Sequence, residues 1–394
     1  MNPPEQPVPP QPLQEDMDSS WMLGPDVLFL NHGSFGARPK AVFDHHCSLL
    51  LRFEQQPVQT IVAEMEQLLP SIRDSLSSFL KVSSDRIDLV CNASEAVNSI
   101  LRSIDIAPGD ELVVPDHAYG AVLKTLQYVA DRTGAVVKIV HIPLPLESSD
   151  QVVEAISSSI TDRTRLLLID HISSPTAVVF PINDLVMLAR DRGIDVLVDG
   201  AHGPGMIDLD LDSLGATWYI GNLHKWVCAP IGAGFIVTDP SHLDSLHPAI
   251  ISHGYQEGHV EEFNWQGTRD YSPWRTIPFV LDWIERTWGW QRMREHNHQL
   301  AVWAHSMLCE AWHVDPVTPL DGSMMGSMAT LQLPGRIRDS HDSEESLHDL
   351  LLSSHGIEVP IMEWAGLLWI RFSAQVYNRP EHYLRLRDVV LSMA

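Results

Sequence analysis

The run DVLVDGAHGPG, residues 195–205, joins an apolar stretch to an aspartate and a set of glycines. Val196, Leu197 and Val198 form the kind of short β-branched and leucine run that fills a sheet, and Asp199 ends it. A buried carboxylate is costly unless it meets a cation or hydrogen-bond donors, so this position predicts a partner. Gly200 and Gly203 are expected to leave room for something flat to approach. Working outward, ELVVPD (111–116), VVKIVHI (136–142) and RLLLIDH (165–171) repeat the same pattern, with periodic segments such as DLVMLARDRG (184–193) between them. Upstream, DLVCNASEAVNSILRSI (88–104) sets an apolar run before a helical pattern, with Ser94 as the expected N-cap. This alternation predicts an α/β fold with a mostly parallel sheet covered on both faces. Ligands in such sheets gather at the C-terminal strand ends, which here carry Asn92, Asp116, His117, His171 and Asp199.

The 394 residues suit a large α/β domain with an appendage. Residues 1–20 are proline-rich and read as a disordered tail without the basic and apolar regions of a signal peptide. Residues 21–275 are expected to form the large domain. Within it, Leu49 to Leu80 has helical spacing, with breaks expected near Pro57 and Pro70. After Tyr271 the texture becomes a long helix pair followed by alternating stretches around MATLQL, GIEVPIM and LLWIRFSA, so residues 276–394 predict a smaller α+β domain. The formal charge of −25 would repel phosphate backbones and anionic membrane surfaces, which argues against nucleic acid or membrane as a partner. The four cysteines are far apart and form no C-x-x-C pair, and no apolar run approaches the ~20 residues of a membrane helix, so a cytoplasmic location is expected.

A second loop, GNLHKWVCAP (221–230), places Lys225 in an otherwise apolar run. Lysine is almost never fully buried without a partner, and desolvation lowers its affinity for a proton. A strand, GFIV, follows and returns the chain to the sheet edge near Asp199. An amine, a carboxylate and an anion cradle are what pyridoxal 5'-phosphate requires. At these residues the chain resembles the class V aminotransferase family of pyridoxal-phosphate enzymes, and within it the isopenicillin N epimerase group. The matching segments are FLNHGSFG (29–36), CNASEAVN (91–98), PDHAYGA (115–121), HISSPTAVVFP (171–181), DGAHGPG (199–205), GNLHKWVCAP, QGTRD (266–270) and RFSAQVYN (371–378).

The resemblance implies the fold type I architecture of aspartate aminotransferase-like enzymes. It makes Lys225 the Schiff-base lysine, Asp199 the partner of the pyridine nitrogen, and His117 the residue stacked on the ring. Ala93, Ser94 and Glu95 would open a helix toward the phosphate, where the helix dipole favours an anion. Asn222 would contact the cofactor, His224 its phosphate, Ser174 its ring hydroxyl, and His202 the side of the ring. Thr268 would cross a homodimer interface to the neighbouring active site. Arg371 would clamp an amino-acid carboxylate by two parallel hydrogen bonds, with Asn31 and His32 as further substrate contacts.

The implied chemistry starts with α-proton removal, Lys225 acting as base. Epimerisation is the expected outcome, with C–S cleavage and transamination as alternatives, because the named residues serve all three. Relatives that form persulfides use a mobile-loop cysteine before the carboxylate-binding arginine, and no cysteine lies between Cys309 and Arg371. A zinc hydrolase could draw on His45, His46, His296 and His298, but no metal is expected because these histidines lack ligand context. A dehydrogenase lacks the G-x-G-x-x-G turn, and a noncatalytic protein would be expected to have lost Lys225 or Asp199.

Overall fold

The computed structural model describes residues 8–13, 20–338 and 343–393. Most of the tail expected over residues 1–20 lies outside the described residues. The strands are β1 (Leu28–Phe29), β2 (Ile87–Val90), β3 (Glu111–Pro115), β4 (Val136–Val140), β5 (Thr164–Asp170), β6 (Asp195–Gly200), β7 (Trp218–Asn222), β8 (Gly234–Thr238), β9 (Met328–Gln332), β10 (Ile357–Glu358), β11 (Ile361–Trp364) and β12 (Leu367–Ser373). Seven of them form one sheet in the order β2-β8-β7-β6-β5-β3-β4. All its neighbours run parallel except those of β8, which lies antiparallel to β2 and β7. Every side chain of β3, β7 and β8 is buried, as a sheet covered on both faces requires.

The second sheet, β11-β12-β9, is antiparallel and belongs to the C-terminal domain. Packing ties the regions around the two sheets together in two places. The helix Ser272–Thr287 buries Trp274, Ile277, Val280 and Ile284 in the core of the large domain, and the next helix contributes Trp290 and Met293 to that core. From Leu300 onward the same helix, Trp290–Trp312, packs into the C-terminal core. This helix therefore contributes side chains to both cores. The chain start also crosses over: β1 pairs in parallel with β10, and Leu28 and Leu30 sit in the C-terminal core.

Helix breaks follow sequence in part. The helix Lys40–Gln55 ends just before Pro57, but Met65–Leu80 runs through Pro70. Burial of Leu69, Ile72 and Leu76 outweighs the one hydrogen bond that the proline removes.

Three loops converge beyond the C-terminal ends of β6 and β7. They are residues 29–36, residues 201–206 and the lysine loop between β7 and β8. Glycines allow the approach. A Cβ on Gly36, where φ is +74°, would lie 2.1 Å from the His224 carbonyl oxygen, and one on Gly205 would lie 2.5 Å from the Trp226 backbone. Replacing Gly36 by alanine is expected to lower stability by about 3 kcal/mol, through a backbone conformation and a contact that no side chain tolerates. A thermal unfolding midpoint equal to that of the wild type would contradict this packing.

Candidate active site

A cavity of about 330 Å³ opens where these loops meet, lined by Lys225, Asp199, Asp170, His202, His224, Asn222, Ala93, Ser94, Ser174 and Arg371 among others. Parallel pairing of β5 and β6 sets Asp170 beside Asp199. Both carboxyls are buried, Asp199 with one oxygen accepting from the Ala201 N–H at 2.9 Å and Asp170 with Oδ2 lacking any partner. Burial raises both above the ordinary carboxylate range, and for Asp170 the neighbouring Asp199 charge adds to the effect. Such a pair is completed by a cation.

Lys225 is carried by a loop fixed through its own backbone. Its carbonyl oxygen accepts from Cys228 N–H at 3.1 Å and stands 3.1 Å from His32 Nε2. The amine is thereby aimed into the cavity, where Nζ meets His202 Nε2 at 3.0 Å. Burial and the Arg371 charge lower its pKa to about 7, against the opposing pull of Asp199 and Asp170. Deep burial lowers His224 to about 4, and its Nδ1 is enclosed without a partner.

The helix Ala93–Ser103 points its start at the same cavity, but its cap is Asn92, not Ser94. The Asn92 side chain accepts from the Glu95 N–H, and Asn222 Oδ1 accepts from the Ala93 N–H, both at 2.9 Å. Ser94 is left on the cavity wall, where a helix dipole and His224 suit an anion.

Arg371, on β12, is buried and lowered by desolvation to about 10. Nη1 donates to the Ser174 carbonyl and lies 3.2 Å from the Ser174 hydroxyl, while Nη2 donates to Ser34 Oγ at 3.2 Å. Nε has no partner. Its described contacts include no carboxylate, so this guanidinium is not spent in an internal ion pair.

Several expected site residues lie elsewhere. His117 is fully buried behind the cavity wall, with Nδ1 at 2.8 Å from Thr176 Oγ1 and Nε2 at 2.9 Å from the Ile142 carbonyl oxygen. Tyr119, two residues on, lines the cavity instead. Asn31 donates to Glu358 at 2.7 Å, and His32 is held by Tyr377 and the Lys225 carbonyl, so both brace the loops and neither lines the cavity. The Glu95 carboxylate turns away to Arg269 at 3.0 Å and to the Cys91 N–H. Thr268 is exposed and absent from its own cavity. His171 lies against Tyr219 OH at 2.9 Å. A Cβ on Gly200 or Gly203 would strike Tyr219 at about 2.2 Å, so those glycines make room for that ring and not for a ligand. The paired histidines are dispersed: His45 stacks on Phe279, while His46 bonds to Ser272.

Asp170, Tyr119, Ser34, Phe35 and Ile231 are among the cavity residues that sequence reasoning passed over. Asp170 carried a usable signal, since RLLLID ends in the same way as DVLVD. Taken together, the buried carboxylate pair, the low-pKa amine, the helix start beside His224, and the unspent guanidinium fit pyridoxal phosphate with an amino-acid substrate.

Comparison with known proteins agrees. A family model described as aminotransferase class-V matches residues 36–382. A probable L-cysteine desulfhydrase, chloroplastic, of Arabidopsis thaliana is 33% identical, covering 93% of this chain and 82% of the relative. Isopenicillin N epimerase of Amycolatopsis lactamdurans is 32% identical, covering 94% of this chain and 96% of its own. Among solved structures, a lysine-to-alanine mutant of C-DES with glycine covalently linked to its PLP cofactor superposes with a TM-score of 0.79 at 18% identity, covering 92% of this chain and 96% of its own.

Placing Tyr119 and not His117 at the cavity yields a paired prediction. Tyr119→Ala should weaken pyridoxal phosphate binding on the order of tenfold, about 1.4 kcal/mol, with little loss of stability. His117→Ala should instead cost about 1–3 kcal/mol of stability by stranding Thr176 and the Ile142 carbonyl. Fluorescence titration of cofactor and thermal unfolding separate the two, and the reverse pattern would restore His117 as the ring contact.

Proposed function

The chain belongs to the aminotransferase class-V family and is a pyridoxal-phosphate-dependent enzyme; from that premise we propose that it removes the α-proton of a sulfur-bearing amino acid and cleaves its β C–S bond. The cofactor, when bound, supplies an electron-accepting ring joined to the substrate amino nitrogen. Asp199 would hold the ring nitrogen protonated, since an adjacent carboxylate favours the cation. Ser94 and His224 would hold the phosphate, and Arg371 the substrate carboxylate through its unspent Nε–H and the edge of its fork. Lys225, lowered toward neutrality, takes the α-proton as a free amine. The β C–S bond then breaks with its electron pair leaving on sulfur, and the proton on Lys225 is available to neutralise the thiolate.

The observation that carries this reading is the Lys225 amine, which lines the cavity and is lowered toward neutrality. Lys225 touches His202, His224 precedes Lys225 directly, and the two aspartates stand side by side on adjacent strands. Elimination needs one base at the α-carbon, whereas inversion needs a proton donor facing that base. No cysteine lines the cavity among the described residues, and Cys228 is buried with its thiol pushed well up, which speaks against a persulfide carrier. A second reading, epimerisation, is favoured by the 32% identical isopenicillin N epimerase and by Tyr119, whose hydroxyl would then serve as the facing donor. The exposed Thr268 beside the anchored Arg269, and exposed Phe35 and Ile231 at the cavity mouth, support a homodimer that closes the site.

Incubation of the holoenzyme with L-cysteine in deuterated water tests the proposal. Release of sulfide and pyruvate is expected, with a rate that rises with pH through about 7 as Lys225 loses its proton. Exchange and inversion at the α-carbon without sulfide would favour the epimerase reading. Arg371→Ala should weaken binding of the free amino acid by about 1.5–3 kcal/mol, and Arg371→Lys should recover only part of this loss, while cofactor binding survives in both. An amino-acid amide should discriminate little between wild type and either variant. Equal losses for acid and amide would reassign Arg371 to the fold.

A further inference from the structure

The contact between Lys225 and His202 has a third member. Trp226 is buried, and its indole Nε1 lies 3.3 Å from His202 Nδ1. An indole N–H can only donate, so Nδ1 must be the accepting nitrogen of the imidazole. His202 is itself buried and stays neutral, because burial and the neighbouring Lys225, Arg371 and His224 hold it well below the ordinary histidine range. A neutral imidazole carries one proton, which then sits on Nε2, the atom 3.0 Å from Lys225 Nζ.

We infer that the Trp226 indole fixes the tautomer of His202 and through it holds Lys225 as an unprotonated amine, making Trp226 a positioning residue for the base. An amine offers a lone pair to the His202 N–H. An ammonium has none and would set N–H against N–H. The device opposes the two carboxylates, Asp199 and Asp170, whose charges draw a proton onto Lys225, and acts in the same sense as Arg371. The sequence secures the geometry by placing Trp226 next to Lys225, with Gly205 admitting the Trp226 backbone and Ile172, Ala177, Met206 and Met328 packing around its ring. This inference rests on the reading of Lys225 as the base. Without the lock, the base would retain its proton near neutral pH and the first step would slow.

Two measurements on the apoprotein test it. In protein labelled with ¹⁵N at histidine, long-range ¹H–¹⁵N correlation, assigned by the signals lost in His202→Gln, should show Nδ1 bare and Nε2 protonated. A wild-type spectrum with the proton on Nδ1 overturns the inference, whether or not any Trp226 variant folds. In Trp226→Phe, which keeps an aromatic ring but removes the N–H, His202 should populate both tautomers. The pH midpoint for borohydride-trapped labelling of Lys225 by pyridoxal should then rise by about one unit, equivalent to tenfold less free amine at a given pH. A folded variant, verified by near-ultraviolet circular dichroism, with an unchanged midpoint overturns it as well. The tautomer is read without any labelling of the lysine, so wild-type labelling that misses Lys225 would sink the role of the lysine separately.

Discussion

The backbone of residues 224–227 is the constraint on which the site depends. Gly36 and Gly205 press against it from two sides with no space for a side chain. His32 reaches the Lys225 carbonyl from a third direction, and Leu223 and Ala229 close the loop on itself. The chain start, the end of β6 and the turn after β7 are thus tied together, although they lie far apart in sequence. Because β1 also pairs with β10 and Leu30 joins the C-terminal core, the same tie couples the two domains around the cavity. A lysine held this way has its main chain fixed and its amine directed, which is the preorganisation that a base requires.

Charge completes what packing begins. The cavity holds two carboxyls, an amine and a guanidinium, and none of them forms an ordinary ion pair with another. Asp170 and Arg371 each keep a buried atom without a partner, as does His224. Groups so desolvated are costly alone. Each is matched by a part of pyridoxal phosphate or of an amino acid: a ring cation for the carboxyls, a phosphate for His224 and the helix start, and a carboxylate for the guanidinium. The perturbed groups mark the site for the physical reason that ligand binding is what offsets their burial.

Much of this was legible in the sequence, for reasons that differ by residue. The strand and helix rhythm showed because sheets covered on both faces need unbroken apolar runs, and Lys225, Asp199 and Arg371 showed because a charge within such a run is rare. Residue choices two positions apart were not legible. His117 and Tyr119 both follow β3, and only the turn geometry decides that the histidine faces Thr176 inside while the tyrosine faces the cavity. Likewise, Glu95 sits at a helix start in sequence, yet its N–H is taken by the Asn92 side chain and its carboxylate pairs with Arg269, 174 residues away. Gly200 and Gly203 looked like space for a ligand, and the space is taken by Tyr219 from the next strand. That the helix Trp290–Trp312 serves both cores was not legible either, because its pattern carries no break.

The central claim is that Lys225 is the residue that carries pyridoxal phosphate in this chain. Its most direct test is reduction of the cofactor-loaded protein with borohydride, followed by proteolysis and mass mapping of the phosphopyridoxyl group. The account predicts the modification on Lys225 and its disappearance in Lys225→Ala. A reduced cofactor mapped to any other lysine, with Lys225 unmodified, would contradict it.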